Sequence, residues 1–97
     1  MRVVLLCAAV VVAAPLAASA QDAGGKLAAS CAMCHGTGGH SVGGNAALAG
    51  TPKDALVRAM KEFQSGARPA TAMHQIAKGY TDSELEQIAA YFAARKK

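Results

Sequence analysis

The stretch SCAMCHGTGG, residues Ser30 to Gly39, sets two cysteines and a histidine within five positions, as Cys31, Cys34 and His35. Cysteines at this spacing, followed at once by histidine, admit three chemistries: a short disulfide, a metal site, or covalent capture of a haem. Which one holds decides what the rest of the chain folds around.

The first twenty residues do not read as part of a fold. Arg2 supplies a positive start, Val3 to Ala14 is an apolar run, and Pro15 leads into LAASA. Ala18 and Ala20 there fit the small-x-small pattern of a signal-peptidase site. The run is too short to span a bilayer and no stop-transfer sequence follows it. Residues 1–20 are therefore expected to be a signal peptide cleaved after Ala20, leaving residues 21–97 as one mature domain without an integral membrane segment. Cys7 would leave with the leader, since VLLC is too early and too bulky for a lipoprotein site. Export sends the mature chain to the periplasm, an oxidising place where free thiols rarely persist.

What remains is one small domain, of a size that often needs a disulfide, a metal or a large cofactor to stabilise its core. The leader also inflates the 53% hydrophobic content. Aromatic residues make up 4% of the chain, Phe63, Tyr80, Tyr91 and Phe92, with no Trp. Something other than aromatic side chains has to fill the middle. The net charge of +4 is mild and scattered apart from Arg95 to Lys97. With no basic stripe and few aromatics, nucleic-acid binding is excluded as a function class.

Helical periodicity dominates, and no stretch alternates like a strand. A first, alanine-rich helix is predicted from about Asp22 to Cys34. The loop Gly36 to Gly50 then holds six of the ten glycines, which suits backbone pressed against something flat or bulky. In TPKD, Thr51 is predicted to cap a second helix, with Pro52 in its first position and Asp54 in the capping-box place. Leu56, Val57, Met60 and Phe63 form its apolar face, and Gly66 stops it. ARPATAM reads as a loop, because Pro69 disfavours helix at Arg68. A short helix is predicted from His74 to Lys78. TDSE, Thr81 to Glu84, is a capping box opening a last helix with Leu85, Ile88, Ala89 and Phe92 on one stripe. The fold class is all-α.

Within that frame the three chemistries separate. A thioredoxin-like pair would need a strand and a βαβ setting. Structural zinc would need further ligands, and only His40 and His74 remain. A plain disulfide leaves His35, the glycine loop and the shortage of aromatics without a reason. Covalent haem accounts for all three: each thiol adds to a vinyl group from one side of a helical turn, and His35 reaches the iron from the proximal face. The sixth ligand has five candidates. Met33 lies inside the motif, Met60 falls on the stripe of the second helix, and His40 is too close to the attachment helix to cross the ring. Met73 lies in a loop between two helices that can hold it over the distal face, with His74 beside it as a rival. His/Met ligation raises the reduction potential and closes the iron to small molecules, which suits an electron carrier.

Over the whole mature sequence these residues resemble a class I cytochrome c, a small domain wrapped around one covalently bound haem c. CAMCHG, the methionine after the second helix, and the capped helix ending IAAYFA carry the resemblance. It implies that the first and last helices cross, with Ala28 or a neighbour meeting Tyr91 or Phe92. It also implies a carbonyl acceptor for His35, which these families usually present from a Gly-Pro pair. Gly43-Gly44 is the expected counterpart here.

Within the class, SGARPATAMHQIAKGYTDSEL is most similar to the cytochrome subunit of flavocytochrome c sulfide dehydrogenase, and the chain also resembles the c4/c553-like carriers. The first resemblance implies an FAD-containing sulfide dehydrogenase subunit as partner, a docked and lysine-poor face, and no catalysis by this chain alone. The second implies a diffusible carrier steered by charges such as Lys26, Lys53, Lys61 and Lys78. A haem-based sensor, in which ligand displaces Met73, is a third reading.

Overall fold

The computed structural model describes residue 3, residues 7–11 and residues 23–97. The expected leader boundary at Ala20 and the predicted helix start at Asp22 lie outside the described residues. Five α-helical segments follow in chain order: α1 over residues 23–28, α2 Ala32–His35, α3 Lys53–Ser65, α4 Met73–Lys78 and α5 Asp82–Ala93. A 3-10 turn, Ala29–Cys31, joins α1 to α2, so the predicted first helix tightens in its middle and runs one residue further, to His35. No strand occurs among the described residues.

The last helix forms as its sequence dictates. Thr81 accepts from the Glu84 amide at 3.1 Å, and Glu84 returns a bond to the Thr81 amide at 2.9 Å, a closed capping box. Such a cap contributes about 1 kcal/mol. Leu85, Ile88, Ala89 and Phe92 all lie buried on one face, and burying each large apolar side chain contributes roughly 2 kcal/mol. The start of α3 departs from the sequence reading. Pro52 takes the N-cap position and no side chain caps the helix, so Thr51 does not do so. Asp54 still sits in the first turn, where it favours the positive end of the helix dipole. Gly66 ends α3 with φ 81°, as expected.

The core gathers Ala28, Leu56, Ile88, Ala89 and Phe92, with Leu27, Cys31, Leu48, Val57, Tyr80 and Tyr91 packed partly against it. It is alanine-rich, and α3 and α5 meet across it. The first and last helices cross closely because Gly24 allows it: a Cβ there would stand 2.6 Å from the Gln87 carbonyl oxygen. Tyr91 lies over Gly24 and Gly25, while Ala28 and Phe92 share the core. The predicted small-on-aromatic crossing is therefore present, built from glycines as well as alanine. Gly39, at φ 79°, leaves no room for a side chain between the Ala49 amide and the Phe92 ring. That contact brings the loop after α2 down onto α5. Among the described residues no helix is long and apolar enough to cross a membrane.

Candidate functional site

Cys31 and Cys34 lie at the two ends of the turn that α2 begins, and both are free thiols. Side chains three apart on a helical turn are neighbours on one face. Cys31 is half-buried against the core, and burial raises its thiol above the ordinary range, partly offset by a hydrogen bond from Ser30. Cys34 is exposed. Among the described residues no three His, Cys, Asp or Glu side chains gather where they could hold a metal ion. The motif presents two free thiols along one helical turn, with the imidazole at the end of that turn.

His35 ends α2, and its Nδ1 lies 2.7 Å from the Ala46 carbonyl oxygen. A carbonyl only accepts, so Nδ1 carries the proton and Nε2 keeps its lone pair. This corrects the expected acceptor: it is Ala46, and not Gly44. Gly43 and Gly44 have open space on their Cβ sides and take no positive φ. The chain needs two more loop residues than the Gly-Gly reading allowed before it folds back to the ring. Asn45, next to Ala46, donates from Nδ2 to the Cys34 carbonyl at 3.0 Å. It satisfies one of the carbonyls orphaned at the helix end. Neighbouring loop residues thus clamp the motif, and no pattern in the sequence marked either.

Met73 opens α4 rather than lying in the preceding loop, and it is half-buried. Helix begins one residue earlier than predicted because the Gln75 and Ile76 amides both turn back to the Ala72 carbonyl. His74, the rival ligand, is otherwise engaged: its Nε2 donates to the Arg68 carbonyl at 2.6 Å, and its ring packs 6.3 Å from that of Phe63. His40 turns its two ring nitrogens to the carbonyls of Thr37 and Lys96, joining the glycine loop to the C-terminal tail. Met33 is 91% exposed, whereas Met60 is half-buried on α3. A groove of about 550 Å³ crosses α3 beside Glu86 with charged walls, and no motif residue lines it. A smaller hollow of about 240 Å³ backs onto the attachment turn, between Ala28, Ala32, Gly36 and Phe92.

Two adjacent free thiols and an imidazole locked in its Nδ1–H tautomer are the donor set of a c-type haem, and the residues fit that group. The family described as "Cytochrome C oxidase, cbb3-type, subunit III" matches residues 18–92. The chain belongs to the cytochrome c family. It is 39% identical over 72 residues to the cytochrome subunit of sulfide dehydrogenase of Chlorobaculum tepidum, covering 74% of this chain and 66% of that one. It is 37% identical over 81 residues to cytochrome c4 of Pseudomonas aeruginosa, covering 82% of this chain and 40% of the relative. Among solved structures it matches a cytochrome c4 of Acidithiobacillus ferrooxidans with a TM-score of 0.70 and 28% identity, over 79% of this chain and 50% of that one. The chain thus spans from two fifths to two thirds of the length of these relatives. As a cytochrome c it carries covalently bound haem c and acts in electron transfer.

Proposed function

We propose that this cytochrome is a periplasmic one-electron carrier, exported by residues 1–20, whose haem is held by thioether bonds from Cys31 and Cys34 with His35 and Met73 as axial ligands. The observation that carries the reading is the His35–Ala46 hydrogen bond, because it leaves Nε2 as the one ring atom free for iron. When bound, the haem supplies a one-electron couple tuned by its axial ligands. Ala46 orients the imidazole and raises its basicity through that bond. Met73 would contribute a soft thioether to hold the iron, which would favour the reduced state and close the site to small molecules. His74 gives its Nε2–H to the Arg68 carbonyl, so that only its Nδ1, the nitrogen nearer the backbone, keeps a lone pair.

The partner in this proposal is an FAD-containing sulfide dehydrogenase subunit, which the similarity to such a cytochrome subunit supports. Met33, within the attachment turn, and Val42, in the loop after it, are exposed apolar side chains that a docked partner would cover. Lys53, one of the lysines a diffusible carrier would use for steering, is instead paired with Glu86 at 2.8 Å. Lys26 and Lys78 stay exposed and keep the free-carrier reading as the alternative. The test is to express the full chain with its own export and haem-attachment machinery alongside the flavoprotein and purify it from the periplasm. A mature N-terminus at Gln21, a c-type haem spectrum and stoichiometric flavin are expected. Haem without flavin would turn the assignment to the diffusible carrier, and a chain recovered without covalent haem would refute both.

A further inference from the structure

The helix that Met73 opens is six residues long, Met73–Lys78. A helix that short does not hold itself together in water, so its position is set by what grips it. Gln64 of α3 donates from Nε2 to the Ala77 and Tyr80 carbonyls, at 2.8 and 3.3 Å, and fastens its end. His74 fastens its start to Arg68. Both ties stay on the methionine side of the molecule. Among the described residues, one side-chain bond reaches from this helix end to the attachment turn: the Ser30 and Tyr80 hydroxyls lie 3.2 Å apart. Ser30 directly precedes Cys31, and Tyr80 follows the turn that ends α4. The Tyr80 ring packs against the core, so packing holds the ring in place and the hydroxyl is aimed by it.

We propose that Ser30 and Tyr80 are a positioning pair, whose hydroxyl bond holds α4, and with it Met73, against the turn that carries the haem. The inference rests on reading Met73 as the axial ligand. A phenylalanine would pack as well as Tyr80, so the hydroxyl has work to do only through its partner. If the thioether leaves the iron, α4 swings outward and this bond breaks. The bond therefore weights the ligated state over the displaced one, by the factor of a single partly solvated hydrogen bond.

The experiment titrates oxidised holoprotein with imidazole and follows loss of the sulfur-to-iron charge-transfer band. Tyr80→Phe and Ser30→Ala are each expected to bind imidazole about three- to tenfold more tightly than the parent. The double variant should bind no more tightly than either single, since one bond is lost in all three. Unchanged affinity in Tyr80→Phe, or single effects that add, would overturn the pair. Met73→Ala separates this from the ligand assignment. It should abolish the band, and in that background Tyr80→Phe should no longer alter imidazole affinity. If Met73→Ala leaves the band intact, the ligand reading fails and the pair falls with it. If the band is lost there but Tyr80→Phe changes nothing in the parent, the pair alone is wrong.

Discussion

The two sides of the haem site are held by different means. On the histidine side backbone bonds carry the loop: the Leu48 and Ala49 amides donate to the Gly39 carbonyl and the Gly50 amide to that of Phe92, while Ala46 and Asn45 reach back eleven residues to His35 and Cys34. On the methionine side, a six-residue helix is held by separate side-chain bonds from Gln64, His74 and Tyr80. Losing any one of these costs on the order of 1 kcal/mol, whereas the backbone loop comes apart only as a unit. The difference implies that the methionine side yields first, while the covalent side stays put.

The harshest way to break that contrast is to remove the covalent side. Cys31→Ala with Cys34→Ala is expected to give a haem-free chain that is largely unfolded by circular dichroism, because a core this rich in alanine depends on the cofactor that binds only the folded state. A well-folded apo variant would show the cofactor's share of stability to be small. Next in size is Met73→Ala, expected to keep covalent haem while the reduction potential falls and the reduced protein binds carbon monoxide. Retention of the parent potential would remove Met73 from the iron.

Two smaller changes sharpen the comparison. Gly39→Ala places a Cβ 2.8 Å from the Ala49 amide nitrogen at φ 79°, and is expected to destabilise the holoprotein by about 2–3 kcal/mol in urea. Gln64→Ala frees the Ala77 and Tyr80 carbonyls and should cost about 1–2 kcal/mol, with faster hydrogen exchange confined to α4. If Gln64→Ala proves the costlier, the two sides have been ranked the wrong way round.

The smallest effect lies at an exposed ion pair, Lys53 and Glu86. Each raises the other's charged form: the Glu86 carboxyl titrates below its ordinary range and the Lys53 ammonium above its own. The stabilisation is therefore present above the carboxylate range and lost as pH falls through the lowered Glu86 value. It is lost again as pH rises through the raised Lys53 value. Both side chains are exposed, so Glu86→Gln should flatten a shallow pH dependence of urea stability that salt already suppresses.

Much of this was legible beforehand, for a physical reason. The stripe of Leu85, Ile88, Ala89 and Phe92 and the Thr81–Glu84 box involve residues within a few turns of each other, so their spacing carries their structure. Cys31, Cys34 and His35 are likewise adjacent, and one helical turn suffices to present them together. The Thr51 cap failed because Pro52, with its φ already set, took the capping position itself. Resemblance to a Gly-Pro motif points to the Gly44 carbonyl as the His35 acceptor, whereas the Ala46 carbonyl takes that role. Any residue in the loop can offer one, so no side chain announces it.

The sequence by itself determined the helices, the attachment motif and the small core that calls for a cofactor, because all three follow from local periodicity, spacing and composition. The tertiary structure alone decided which carbonyl holds His35, that His74 turns away to Arg68, and that Ser30 meets Tyr80 fifty residues on. Those contacts span six to fifty residues, more than one helical turn, and their partners are chosen by how loops and helices pack rather than by any pattern along the chain.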